Sequence, residues 1–150
     1  MMNEVAWQSR VLPLAQSSMI SLNSRMHHMK RAVLAKQLRR WGYLLGREGK
    51  GVARLHLTRA RVVCEIAYPD RRRRDLHNLM GTIKPMVDGL IDAGLLPDDS
   101  DKFMDGPHLV CVERLAAQRM NVRMYEVQFF VYADGRRMNV VATPEEEDRA

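Results

Sequence analysis

No apolar run in the sequence approaches the roughly 20 residues that a membrane span needs. The opening MMNEVAWQSR lacks the basic-then-apolar pattern of a secretory signal. Cysteine is scarce: Cys64 and Cys111 are the only two, and they do not have the close spacing of metal ligands. Both lie within apolar runs, which predicts buried free thiols rather than a disulfide and fits a reducing cytoplasm. Internal repeats and long linkers are also missing. The expectation is a cytoplasmic chain with no membrane association. Its 150 residues fit a single domain, and 46% hydrophobic content is enough for an ordinary core. The eleven methionines read as core or interface filler.

What is present is a lopsided charge. Residues 1–74 hold 16 Lys and Arg against 4 Asp and Glu, a net +12. Residues 75–150 hold 8 against 14, a net −6, so that the whole carries +6. A basic half raises the local concentration of polyanions and can neutralise phosphates. An ordinary solvated basic surface accounts for the same numbers.

The patterning predicts an α+β, or mixed α/β, domain over residues 1–143, with about four strands packed by two main helices. The acidic tail 144–150 has almost nothing apolar to bury, so it is expected to be disordered. Val11–Leu14 reads as a short strand, and Ser21, Asn23 and Ser24 as turn formers or caps. A helix is predicted over Arg25–Gly46, with Leu34, Leu38, Trp41 and Leu45 as its buried stripe and Gly46, Gly49 and Gly51 ending it. Arg54–Tyr68 reads as one strand or two, closed by Pro69. A second helix is predicted over Asn78–Ala93, with Leu79, Ile83, Met86, Val87, Leu90 and Ile91 inward. Gly94 is its stop, and Pro85 kinks it or marks its true start. Leu109–Val112 and Met124–Tyr132 complete the strands.

Chemistry concentrates in Asp70–Asp105. Four consecutive arginines, Arg71 to Arg74, lie between a predicted buried strand and an amphipathic helix, so they are not a floppy tail. So much positive charge in a folded region repels itself, and a bound polyanion relieves that repulsion. Asp75 follows directly. It either forms an ion pair with Arg73 or Arg74 or serves a site. A second acidic cluster, Asp98, Asp99 and Asp101, follows the helix. If Asp75 and Asp99 converge, each raises the other's pKa unless a cation sits between them. Carboxylates with retained waters suit Mg²⁺, which polarises a phosphodiester and activates water. A solvated turn explains the acidic loop equally well.

The stretch PDRRRRDLHNL, Pro69 to Leu79, resembles the signature of the RusA-type Holliday-junction resolvases, which reads roughly PDRRRRDLDNL. KPMVDGLIDAGLLPDDS, Lys84 to Ser100, resembles the family's K-x-x-x-D-A-L-x-x-A-G-x-x-x-D-D stretch. SLNSRMHHMKRA, Ser21 to Ala32, resembles more loosely the N-terminal region of phage-encoded relatives. The resemblance implies a Mg²⁺-dependent homodimer that nicks opposing strands of a four-way DNA junction, using three aspartates and a lysine. Asp75 matches the first aspartate and Asp99 the last. The middle one falls at His77, whose imidazole suits Mn²⁺ better than Mg²⁺, with Asp98 as a substitute ligand. The spacing between Asn78 and Asp88 carries three extra residues, so the lysine position falls at Gly81 in one frame and at Lys84 in the other. The ungapped helix block favours Lys84, as an electrostatic stabiliser near the scissile phosphate.

The reaction so implied is hydrolysis of a phosphodiester by metal-activated water. Asp75 and Asp99 hold the ion, and His77 or Asp98 completes the shell. Arg71, Arg72, Arg73 and Arg74, with Arg25, Lys30, Arg31 and Arg39, would follow the phosphate backbone, since arginine grips phosphate in bidentate fashion. A two-fold homodimer matches the approximate symmetry of the junction. Two alternatives stay open: a nuclease of the same fold acting on flaps or other branched DNA, and a junction-binding protein that lost catalysis with the carboxylate at position 77.

Overall fold

In a computed structural model, residues 5–22, 25–48, 59–98, 100 and 102–133 are described. Among them, five strands form one sheet backed by two helices. The strands are β1 (Val5–Gln8), β2 (Leu12–Ala15), β3 (Ala60–Ala67), β4 (Met104–Cys111) and β5 (Met124–Ala133). The helices are α1 (His28–Arg47) and α2 (Met80–Asp92). This is the α+β domain the patterning predicts, with one strand more than expected. The added strand is β1, which pairs antiparallel with the end of β5. It was hidden because β1 and β2 lie end to end along one edge of β5, with Ser9 between them. Ser9 donates its N–H to the Phe129 carbonyl at 2.9 Å, and its Oγ accepts the Phe129 N–H at 2.9 Å. The β5 ladder is thereby carried across the break.

β5 and β3 pair antiparallel at the centre of the sheet, and β4 joins β3 in parallel at the edge. Alternation decides which side faces inward. Val62, Cys64 and Ile66 of β3, with Val127, Phe129 and Val131 of β5, are buried in one cluster with Leu38, Leu45, Ile83, Met86 and Leu90 of the helices. Val63, Glu65, Gln128, Phe130 and Tyr132 alternate with them and are half-buried. Cys64 is buried as expected, and burial pushes its thiol up. Cys111 is exposed, because it is the last residue of an edge strand. β4 begins five residues earlier than the apolar run implied. Gly106 and Pro107 disguise its first half, where the β3–β4 register slips between Arg61 and Val63. A proline is tolerated there because β4 lies at the sheet edge.

The two helices meet through small residues. A Cβ added to Gly42 would lie 2.0 Å from the Met86 carbonyl oxygen, and one on Gly89 would lie 2.0 Å from that of Arg39. One turn on, a Cβ on Gly46 would lie 2.7 Å from the Ala93 Cβ. Gly42-x-x-x-Gly46 therefore faces Gly89-x-x-x-Ala93, a pairing that lets two backbones approach closely. Gly46 was expected to end α1. It lies inside the helix instead, while Gly49 and Gly51 fall outside the described residues. Gly94, with φ +85, does stop α2. Pro85 sits within α2, which starts at Met80 after a short 3-10 helix, Leu76–Leu79. Arg39 adds a bidentate pair to Asp92, 2.6 and 2.8 Å, across the exposed side of the same contact. Among the described residues, no helix is long and apolar enough to cross a membrane.

Replacing Gly42 or Gly89 by alanine forces the backbones apart and should cost about 1–3 kcal/mol or more. Urea unfolding of each variant measures this, and an unchanged midpoint would contradict the close approach.

Candidate nucleic-acid interface and carboxylate site

β3 delivers the chain to a loop built around Asp70. The Asp70 Oδ1 accepts the Arg72 backbone N–H at 3.0 Å and pairs with Arg74 Nη1 at 2.7 Å. Its Oδ2 pairs with Arg123 Nη1 at 2.7 Å, just before β5. These cations hold the Asp70 carboxyl down, at about 2, well below the usual carboxylate range. Arg74 also donates to the carbonyls of Asp70 and Arg72, at 3.2 and 3.1 Å. Its guanidinium lies 5.2 Å above the Tyr68 ring and 5.8 Å from that of Tyr125. The two rings meet edge to face, 5.9 Å apart.

The arginine run therefore divides. Arg71, Arg72 and Arg73 are exposed, while the Arg74 side chain is only 17% exposed and clamps the loop. The Arg72 guanidinium makes a weak contact, 3.8 Å, to Asp70. The sequence offered Asp75 as an ion-pair partner for Arg73 or Arg74, but Asp70 takes Arg74. Nothing in the run's composition distinguishes the clamp from its neighbours. The informative signal was Asp70 two residues ahead of Arg72, a spacing at which an aspartate bonds its own downstream backbone.

Asp75 has a different task. Its Oδ1 accepts the His77 N–H at 3.0 Å, and it caps the 3-10 helix that leads into α2. It also lines a cleft of about 460 Å³, whose wall includes Arg74, Tyr125, Asn78, Gln16, Ser17 and Lys30. Such a volume falls in the range of ligand clefts. The segment before α1 is strapped onto this end of α2. Thr82 Oγ1 accepts the Ile20 N–H at 2.8 Å and donates to the Ile20 carbonyl at 2.9 Å, while Leu22 donates to Asn78 at 3.0 Å. The first turn of α1 thus reaches the cleft, bringing Lys30 and Met26 to its wall. α1 carries six Lys and Arg and no acid, so this wall extends into a basic helix.

The remaining site residues scatter. His77 is exposed and meets Asp75 through its backbone. Lys84 does not line the cleft; its Nζ pairs with Asp88 at 2.8 Å one turn along α2. Arg25 is exposed ahead of α1, and Arg31 is half-buried on it. Asp98 is exposed beyond the end of α2. Asp99 and Asp101 lie outside the described residues, as do Asn23, Ser24 and the acidic tail. Ser100 accepts the N–H groups of Phe103 and Met104, both at 2.9 Å, and Met104 pairs with Ala60, the first residue of β3. Asp75 lies in the loop after β3, ahead of α2, and Asp98 lies after α2, whose 13 residues span about 20 Å. Among the described residues, no three His, Cys, Asp or Glu side chains are grouped so as to hold a metal.

No protein-family model matches the chain, and no curated protein matches it significantly.

Asp70 makes the loop sensitive to acid. Its carboxyl is lowered on folding, so the unfolded state binds more protons between the ordinary value and about 2. The stabilisation is complete above about pH 4 and is lost as pH falls toward 2. Melting temperature should therefore fall more steeply from pH 4 to pH 2 in the wild type than in Asp70→Asn. Parallel curves would refute the assignment.

Proposed function

We propose that the chain is a divalent-metal-dependent endonuclease that resolves branched DNA, acting as the RusA-type resolvases it resembles act on four-way junctions. The observation that carries the reading is Asp75. It is the first matched aspartate of the two sequence blocks, and it caps a helix start inside a cleft lined by Arg74 and Lys30. The exposed arginines Arg71 to Arg73 lie two to four residues ahead of it. They suit phosphate contact, which positions DNA without reading its sequence.

The reading requires two copies. Asp75 precedes α2 and Asp98 follows it, and a two-fold dimer would complete each site by setting one copy's Asp75 end against its partner's Asp98 end. Asp75 would then supply one carboxylate and the partner's Asp98 and Asp99 the others, with His77 next to Asp75 as a nitrogen donor. A divalent ion, Mg²⁺ or Mn²⁺, bound there would supply an acidified water and neutralise phosphate charge. Lys30 would balance charge on the DNA from within the cleft. Lys84, engaged by Asp88, would serve the phosphate only by leaving that carboxylate. The substitution at position 77 keeps the non-cutting alternative in play, and substrate choice between junction and flap is part of the same test.

A labelled four-way junction incubated with Mg²⁺ or Mn²⁺ should receive paired nicks at symmetric positions, while flap and linear substrates are cut less. Asp75→Asn and Asp99→Asn should each lower cutting by about 100-fold or more while junction binding persists. Normal cutting by both variants would remove the nuclease assignment. Replacing Arg71, Arg72 and Arg73 together by alanine should reduce the log–log salt slope of binding by about 2 to 3. An unchanged slope would show that these arginines do not touch phosphate.

A further inference from the structure

Met120 is 89% exposed, more than any other large apolar side chain among the described residues. It occupies the tip of a tight turn between β4 and β5, where Arg119 bridges Val122 and the Val122 N–H reaches the Arg119 carbonyl at 3.1 Å. Asn121, with φ 60, closes the turn. The turn is braced from below. Gln118 Nε2 donates to the carbonyls of Ala116 and Met124, and its Oε1 accepts the Met124 N–H, all at 3.0 Å. Ala116 donates to the Tyr68 carbonyl at 2.8 Å, and Arg123 holds Asp70. An apolar side chain is thus displayed on a fixed support, outside the core, where a polar residue would fit at no cost. Val122, 42% exposed, stands beside it.

The surroundings decide the partner. A shallow groove lined by Pro69, Asp70, Arg119 and Arg123 separates the turn from the loop that carries Arg71, Arg72 and Arg73. An apolar tip framed by exposed arginines suits a polyanion with an apolar interior. We propose that Met120 is a wedge that enters the base stack of DNA at a branch point, with Arg119 and the 71–73 run on the flanking phosphates. Apolar side chains inserted between base steps unstack and kink DNA at an energetic cost. That cost is smallest where stacking is already interrupted, as at the crossover of a junction. The unbranched methionine side chain adapts to such an irregular gap. The wedge rests on the branched-DNA reading and adds to it a source of preference for junctions over linear duplex.

The test uses the full-length protein in EDTA, so that cutting does not intervene, with four-way junctions carrying 2-aminopurine at the branch point. Wild-type protein should raise the probe's fluorescence. Met120→Ala should abolish most of that rise and weaken junction binding about tenfold, while linear-duplex binding stays within about twofold. Met120→Leu should keep the rise. Equal fluorescence with wild type and Met120→Ala would overturn the wedge, and so would failure of the wild type to bind junctions. Conversion of Met120→Ala to a smaller species on gel filtration would overturn it in favour of a contact between copies. The nuclease reading is judged separately: normal cutting by Met120→Ala with unchanged fluorescence sinks the wedge alone, whereas a wild-type fluorescence rise without cutting in Mg²⁺ or Mn²⁺ sinks the nuclease alone.

Discussion

Parallel pairing of β3 with β4 obliges the chain between them to cross the whole sheet, and α2 makes that crossing. The rest of the molecule follows from this. Asp75 lies in the loop beyond the end of β3, and β4 starts at the opposite end, where Met104 pairs with Ala60. α2 must then be covered, and α1 covers it by a glycine-to-glycine contact too close for any larger residue at Gly42 or Gly89. That contact also sets the axis along which the basic side of α1 runs toward the cleft.

At the Asp75 end, one carboxylate organises many cations. Asp70 joins the loop after β3 to the start of β5 through Arg74 and Arg123, and its pKa is lowered mainly by the hydrogen bonds it accepts from Arg74 and from the Arg72 backbone N–H. Such exposed pairs contribute modestly to stability in general. Their effect here is geometric. Arg74 is drawn in over two tyrosine rings, so its three predecessors are left in solvent on a braced loop. A run of four like charges becomes one structural residue and three available ones. The turn carrying Met120 is fixed by the same Asp70–Arg123 contact, which ties the proposed wedge and the proposed phosphate track into one rigid unit.

Much of this was legible in the sequence. Helical spacing marked Ile83, Met86, Val87 and Leu90 as inward, and all are buried. Strand β1 escaped because four residues carry too little pattern. Gly46 was misread because a glycine near a helix end has two physical uses, stopping the helix and admitting a neighbour. Its neighbours on α2, Ala93 and Leu90, decide between them. Cys111 was misjudged because an apolar run does not reveal that its strand lies at an edge. In the candidate site, Asp75 and Lys30 reached a common cleft and Lys84 did not, because one turn of α2 carries Lys84 onto Asp88. Where the chain after α2 returns to the sheet was not readable from spacing, since it depends on whether β4 runs parallel or antiparallel to β3.

The proposed function therefore stands or falls on whether two copies share each site, and subunit complementation measures that directly. Asp75→Asn and Asp99→Asn chains, each inactive alone, are mixed and refolded together with a four-way junction and Mg²⁺ or Mn²⁺. Shared sites give mixed dimers with one intact Asp75–Asp99 pair, so single nicks should reappear. If the mixture stays as inactive as its parents although mixed dimers have formed, each site lies within one chain, and the account is contradicted.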